Sequence, residues 1–168
     1  MDITLQIFLD GRWHDAAEVG FDHPDGGYMA GARVGYDIDY FAQWGAVEYA
    51  EGRSATDCRA VSVLYPVDMA DRHTSRWPPF MLDLLPQGHA RIRLAKAMGI
   101  DPDIRSSDLP LLMRAGGSTI GNVRIKEAAE QEAERLRTAP RAGLSLDDIL
   151  GRTDLFVEVV DRHAMIAS

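Results

Sequence analysis

The sequence predicts an α+β fold: a small antiparallel, partly closed β-sheet with helices packed on it and a helical C-terminal tail. Three observations predict it. Leu5, Ile7 and Leu9 alternate with polar residues and run into Asp10-Gly11, a strong hairpin-turn pair. Short strand-like runs at Ala32–Tyr36, Val61–Tyr65 and Val123–Ile125 are interrupted by glycine and proline. Gln87 to Met98 repeats apolar residues at helical spacing, with Ile92, Ala95 and Met98 on one face, Leu94 beside them, and Gly99 to close it.

The remaining elements follow in order. The return strand of the hairpin runs from Arg12 to Phe21. Residues 22–31 are rich in glycine and aspartate and read as a loop. Asp37 caps a helical turn through Phe41 and Trp44 that ends at Gly45. Residues 45–60 read as loop. The strand Val61, Val63, Tyr65 ends at Pro66, and Val67 to Pro79 is polar and punctuated. Phe80 to Leu85 is an apolar helical turn stopped by Pro86. Ser107 or Asp108 caps a short helix bearing Leu109, Leu112 and Met113, which ends at Gly116-Gly117. Residues 126–138 form a mostly solvated helix with a thin stripe of Ala129, Ala133 and Leu136. Ser145 and Asp148 match a capping box, and Thr153 opens a last helix. The domain boundaries read as 1–125 for the α+β part and 126–168 for the helical extension.

Composition bounds the function. A chain of 168 residues hides about 70% of its extended-state surface on folding, so a core forms without a staple. The formal net charge of −8 disfavours sequence-independent capture of nucleic acid, which rests on phosphate neutralisation. The single cysteine, Cys58, forms no internal disulfide, so a reducing, cytoplasmic setting is expected. No apolar run reaches membrane-spanning length, and no membrane partner is expected.

Motifs for chemistry are sparse. Gly116 and Gly121 have the spacing of a phosphate-binding loop, but Asn122 and Val123 stand where lysine and serine or threonine are needed. Ser118 sits in a near-match to a nucleophile elbow, with Ile120 where a second glycine belongs. A hydrolase using Ser118 would need a histidine within hydrogen-bond reach. Asp101-Pro102-Asp103 begins like a calcium loop, yet Arg105 and Ser106 break the pattern. Asp68, Asp71 and His73, like Asp22, His23 and Asp25, read as solvated acidic loops rather than metal sites. His14 and His89 read as surface residues, and His163 as a partly buried one. Trp77, between Arg76 and Pro78-Pro79, either folds back on the domain or is offered to a partner, with Arg76 and Phe80 beside it.

The middle of the chain resembles a known family. Pro79-Phe80-Met81-Leu82-Asp83-Leu84-Leu85-Pro86-Gln87-Gly88, then Arg91 and a helix to Gly99, then Leu109 to Leu112 and Gly116 to Gly121 before Val123–Ile125, resemble the amino-terminal region of HipA-like proteins. These are serine/threonine kinases, many of them toxins of type II toxin–antitoxin pairs. Ala32–Tyr36 and Val61–Pro66 fit that region in order. Leu146 to Ala167 is similar to the helices before the kinase nucleotide loop.

The resemblance implies a non-catalytic subdomain that docks on a kinase core, fused or separate, with a DNA-binding antitoxin as a further partner. It places the nucleotide loop and catalytic aspartates past Ser168. ATP and magnesium are therefore expected only in a kinase core, with no catalytic, cofactor or metal residue in this chain. The alternatives are a free-standing antitoxin-like subunit that inhibits a separate kinase, with Trp77 as the inserted side chain, and a regulatory module unrelated to kinases.

Overall fold

The computed structural model describes residues 1–138, and the first of two compact units, Met1–Arg137, lies within them. The capping box at Ser145, the helix from Thr153 and His163 lie outside the described residues.

Strands β1 (Asp2–Leu9) and β2 (Arg12–Phe21) form the expected hairpin, with Asp10 and Gly11 both at positive φ in its turn. A 3-10 segment, Pro24–Met29, leads to β3 (Ala32–Tyr36). Asp37 caps α1 (Ile38–Trp44) by accepting from the amides of Asp39 and Tyr40. Then come α2 (Ala46–Ala50), β4 (Arg72–Thr74), α3 (Pro79–Leu84), α4 (Gly88–Met98), α5 (Asp108–Ala115), β5 (Val123–Ile125) and α6 (Lys126–Thr138). The sheet order is β4-β3-β2-β1-β5, every pairing antiparallel. The fold is α+β, and the sheet is open: its outer strands β4 and β5, three residues each, do not meet, so the expected partial closure is absent.

One face of the sheet builds the core. Ile3, Leu5, Ile7, Val19 and Val34 are buried together with Met81, Leu111 and Leu112. Strand alternation thus fixes the buried set on β1, because successive side chains point to opposite faces.

Three expectations are corrected. Val61–Tyr65 is not a strand. The Tyr36 hydroxyl accepts from the Val61 amide at 2.9 Å and donates to the Tyr65 carbonyl at 2.6 Å, so a side chain supplies the partners a neighbouring strand would have given. Val63 and Leu64 are left exposed in the turn between them. Residues 45–60 are not all loop, since Ala46–Ala50 is helical, and β4 emerges from the polar stretch after Val67. Ile92 lies on the solvent side of α4, where Ala95 is the buried position and Leu94 and Met98 are half-buried.

Trp77 is only 2% exposed and meets Phe21 with ring centroids 4.8 Å apart. Its Nε1 is buried without an acceptor among the described residues. Trp77→Ala should lower unfolding free energy by about 3–5 kcal/mol in chemical denaturation. Trp77→Phe should cost clearly less, because it keeps most of the ring and removes an orphaned donor.

Asp68 is nearly buried, and Arg72 holds its carboxyl below the usual carboxylate range by hydrogen bonds from its two terminal guanidinium nitrogens. A depressed folded pKa means this stabilisation is full near neutrality. It is lost as pH falls through the unfolded value and then the lower folded one. Asp68→Asn should therefore flatten the acid limb of stability in melts taken from neutral pH to below the carboxylate range.

Candidate functional site

Two surfaces result from this arrangement. The first is a hollow of about 360 Å³ lined by Tyr28, Leu82, Leu85, Gln87, Arg91 and Asp108, among others. At its base lies a carboxylate clasp. Asp108, at the first turn of α5, is 1% exposed. Its Oδ1 accepts from Arg91 of α4 at 2.6 Å, and its Oδ2 accepts from the Tyr28 amide at 3.0 Å. Arg91 also donates from Nε to the Pro102 carbonyl at 2.8 Å.

Gly27 sits at φ 56, and a Cβ there would collide with Asp108 Oδ2 and the Arg105 carbonyl. The clasp therefore needs glycine both for conformation and for room. Neither Ser107 nor Asp108 caps α5 as expected: Ser107 donates its hydroxyl to the Asp101 carbonyl at 2.6 Å, and Asp108 is committed to the clasp. With both oxygens of Asp108 occupied and Arg91 neutralised by it, this site ties segments together rather than offering free charge.

The second surface surrounds a smaller hollow, about 160 Å³, lined by Val61, Phe80, Leu84, Ile120, Asn122 and Val123, with Asp83 at its edge. Ile120 protrudes fully, at 108% of its reference exposure. Val63 and Leu64, which follow Val61 in the chain, are 73% and 70% exposed. Asn122 donates from Nδ2 to the Cys58 carbonyl at 2.7 Å, joining the two loops that carry these residues. Sequence reading missed Ile120 as a surface feature. The available signal was an isoleucine isolated between Gly116-Gly117 and Gly121, with too little chain on either side to reach the core.

The residues singled out from sequence disperse. Trp77 and Phe80 are buried, Phe80 at the hollow beside Ile120, and only Arg76 of that trio is exposed. Trp77 turns inward because Phe21 offers an aromatic surface on β2. Ser118 is exposed and lines a hollow with Leu94, Arg114, Ala115 and Glu132, with no histidine among them. His14 instead accepts from Arg12 Nε at 3.2 Å and meets Trp44 edge-on. Asp68 pairs with Arg72, and Asp71 with Arg33, while His73 lies on β4. Asp22, His23 and Asp25 are exposed, as are His89 and Cys58. Asp101 accepts from the Asp103 amide in a local turn. Among the described residues no group of three or more histidine, cysteine or acidic side chains is placed to hold a metal ion, and no helix is long and apolar enough to cross a membrane.

The clasp gives two expected outcomes. Arg91→Ala should destabilise the domain by about 3–5 kcal/mol, because it leaves the buried Asp108 charge without its partner. Gly27→Ala should also destabilise it, by clash and strained φ together. Both are read from denaturant midpoints.

No curated protein matches the chain. A family model described as the HipA N-terminal domain matches residues 28–126, which include Tyr28, Arg91 and Asp108 of the clasp and Ile120 of the second surface. With more than half of its length matched, the chain belongs to the HipA N-terminal domain family.

Proposed function

We propose that this domain works by binding. It is the non-catalytic N-terminal subdomain of a HipA-like serine/threonine kinase toxin, and it docks on the kinase core, fused or separate, through the face around Ile120. A DNA-binding antitoxin is a further partner of the same assembly, and ATP and magnesium belong to the core.

The observation that carries the reading is Ile120 itself. A fully exposed isoleucine at the edge of an apolar hollow is unfavourable in a free domain, and covering it releases roughly 1.5–3 kcal/mol. Val63 and Leu64 add exposed apolar surface of the kind that marks interaction sites. Membership of a family named for the N-terminal domain of HipA supports a HipA-like core as the partner.

Ile120→Asp should weaken binding to the cognate kinase core at least about tenfold in calorimetric titration, the equivalent of about 1.4 kcal/mol. It should leave the melting temperature nearly unchanged, since the side chain touches no core. Val47→Asp, on exposed α2, serves as the control and should bind like the parent. Equal affinity of the Ile120→Asp variant and the parent would overturn the docking face, and no binding by the parent would overturn the function.

A further inference from the structure

The last turn of α3 carries a charge that the fold does not use. Asp83 is exposed, and among the described residues no hydrogen bond or ion pair reaches its carboxylate. It is the next-to-last residue of the helix Pro79–Leu84, whose last turn holds no cation. Negative charge at a helix C-terminus opposes the backbone dipole, so Asp83 weakens the free domain rather than stabilising it. The same side chain lines the hollow beside Ile120, and every other residue lining that hollow is uncharged. The walls are set before any partner arrives. Phe80 meets Tyr65 edge-on, with ring centroids 5.2 Å apart, and the Asn122 side chain is committed to the Cys58 carbonyl. At about 160 Å³ the hollow is close in size to a cavity that holds one benzene ring, so it has room for one side chain.

We infer that this hollow receives a single arginine of the partner, with its stem laid along Phe80, Leu84 and Ile120 and its guanidinium on Asp83. The inference rests on the proposed docking face and names the kind of residue that the kinase core brings to it. A purely apolar guest would exclude water from Asp83 and leave its charge without a partner. The guest must therefore be apolar along its length and cationic at its tip, a description that fits lysine and arginine. Arginine suits these walls better. Its guanidinium is weakly hydrated, stacks on aromatic faces and meets a carboxylate with two parallel N–H donors. The formal charge of −8 on the whole chain also favours the approach of a basic surface. A carboxylate retained against the helix dipole, at the rim of an apolar hollow, is thus accounted for by a cation that arrives with the partner.

Asp83→Asn keeps the size of the side chain and removes its charge. In chemical denaturation of the chain alone, its midpoint should equal or exceed the parent's, because no partner is lost and the helix end is relieved. A lowered midpoint would assign the carboxylate to the fold and overturn the inference. In calorimetric titration against the cognate kinase core, Asp83→Asn should bind about tenfold more weakly than the parent. Arginines on the core are then changed to alanine one at a time. One of these changes should weaken binding of the parent at least about fivefold more than it weakens binding of the Asp83→Asn variant, which is the signature of a contacting pair. Undiminished affinity of Asp83→Asn, or a core with no arginine coupled to it, would overturn the inference and leave the docking face to its own test with Ile120→Asp. A parent that binds no core would remove both.

Discussion

The Asp108 carboxylate is the constraint on which the helical half of the domain depends. It is almost wholly removed from water, so its charge must be matched locally; the match comes from two separate stretches of chain, and a third is tied in through Arg91. Arg91 brings α4, the Tyr28 amide brings the loop after β2, and the Arg91–Pro102 bond brings the connection between α4 and α5. A hydrophobic contact could have joined the same segments with looser geometry. A carboxylate with two fixed donors sets their direction as well as their distance. Gly27 completes the arrangement, since any side chain there would occupy the space that the oxygen needs.

The sheet was largely legible in the sequence because one face is buried and the other is not. The pairing of β1 and β2 follows from alternation and a two-residue turn, and β3 and β5 follow from short bounded runs. What escaped was structure set by distant partners. Val61–Tyr65 alternates like a strand, yet the Tyr36 hydroxyl satisfies its backbone, and Tyr36 lies 25 residues earlier. Arg72–Thr74 carries no apolar alternation: it is a three-residue edge strand held to β3 by its backbone pairing and by the Thr74 hydroxyl, which donates to the Ala32 carbonyl. Asp108 looked like a helix cap by local rule, and the rule lost to a charge partner 17 residues away. For Trp77 its polar neighbours left packing and partner contact both open, and the choice is made by Phe21 on β2, against which its ring lies.

The family resemblance was legible for a different reason. Its residues, Pro79 to Gly88 and then Arg91, Leu109 and Gly116, are those that turn the chain and fix α3, α4 and α5 around the clasp. Order and spacing of structural residues identify an architecture well and say little about chemistry, because fold and function are separable. Ile120, the residue that carries the functional reading, is invisible to such a pattern: nothing in the fold requires it, and it contributes no core contact.

That independence is itself an argument about β5. An exposed apolar tip on a loose loop would bury itself or sample many conformations, and ordering it on binding would cost affinity. Here the tip is held without being covered. Thr119 donates its hydroxyl to the Val123 carbonyl at 2.5 Å, Asn122 donates to the Cys58 carbonyl, and the Asn122 carbonyl accepts from the Phe8 amide. Three polar bonds thus fix the base of the loop on the sheet and leave the isoleucine in water. Glu127 secures the opposite end of β5 by the same means, a side chain bonded to the backbone of β1. A three-residue strand is too short to define itself by pairing alone. Anchored at both ends by polar bonds, β5 keeps its place on β1 while the loop before it leaves Ile120 in water.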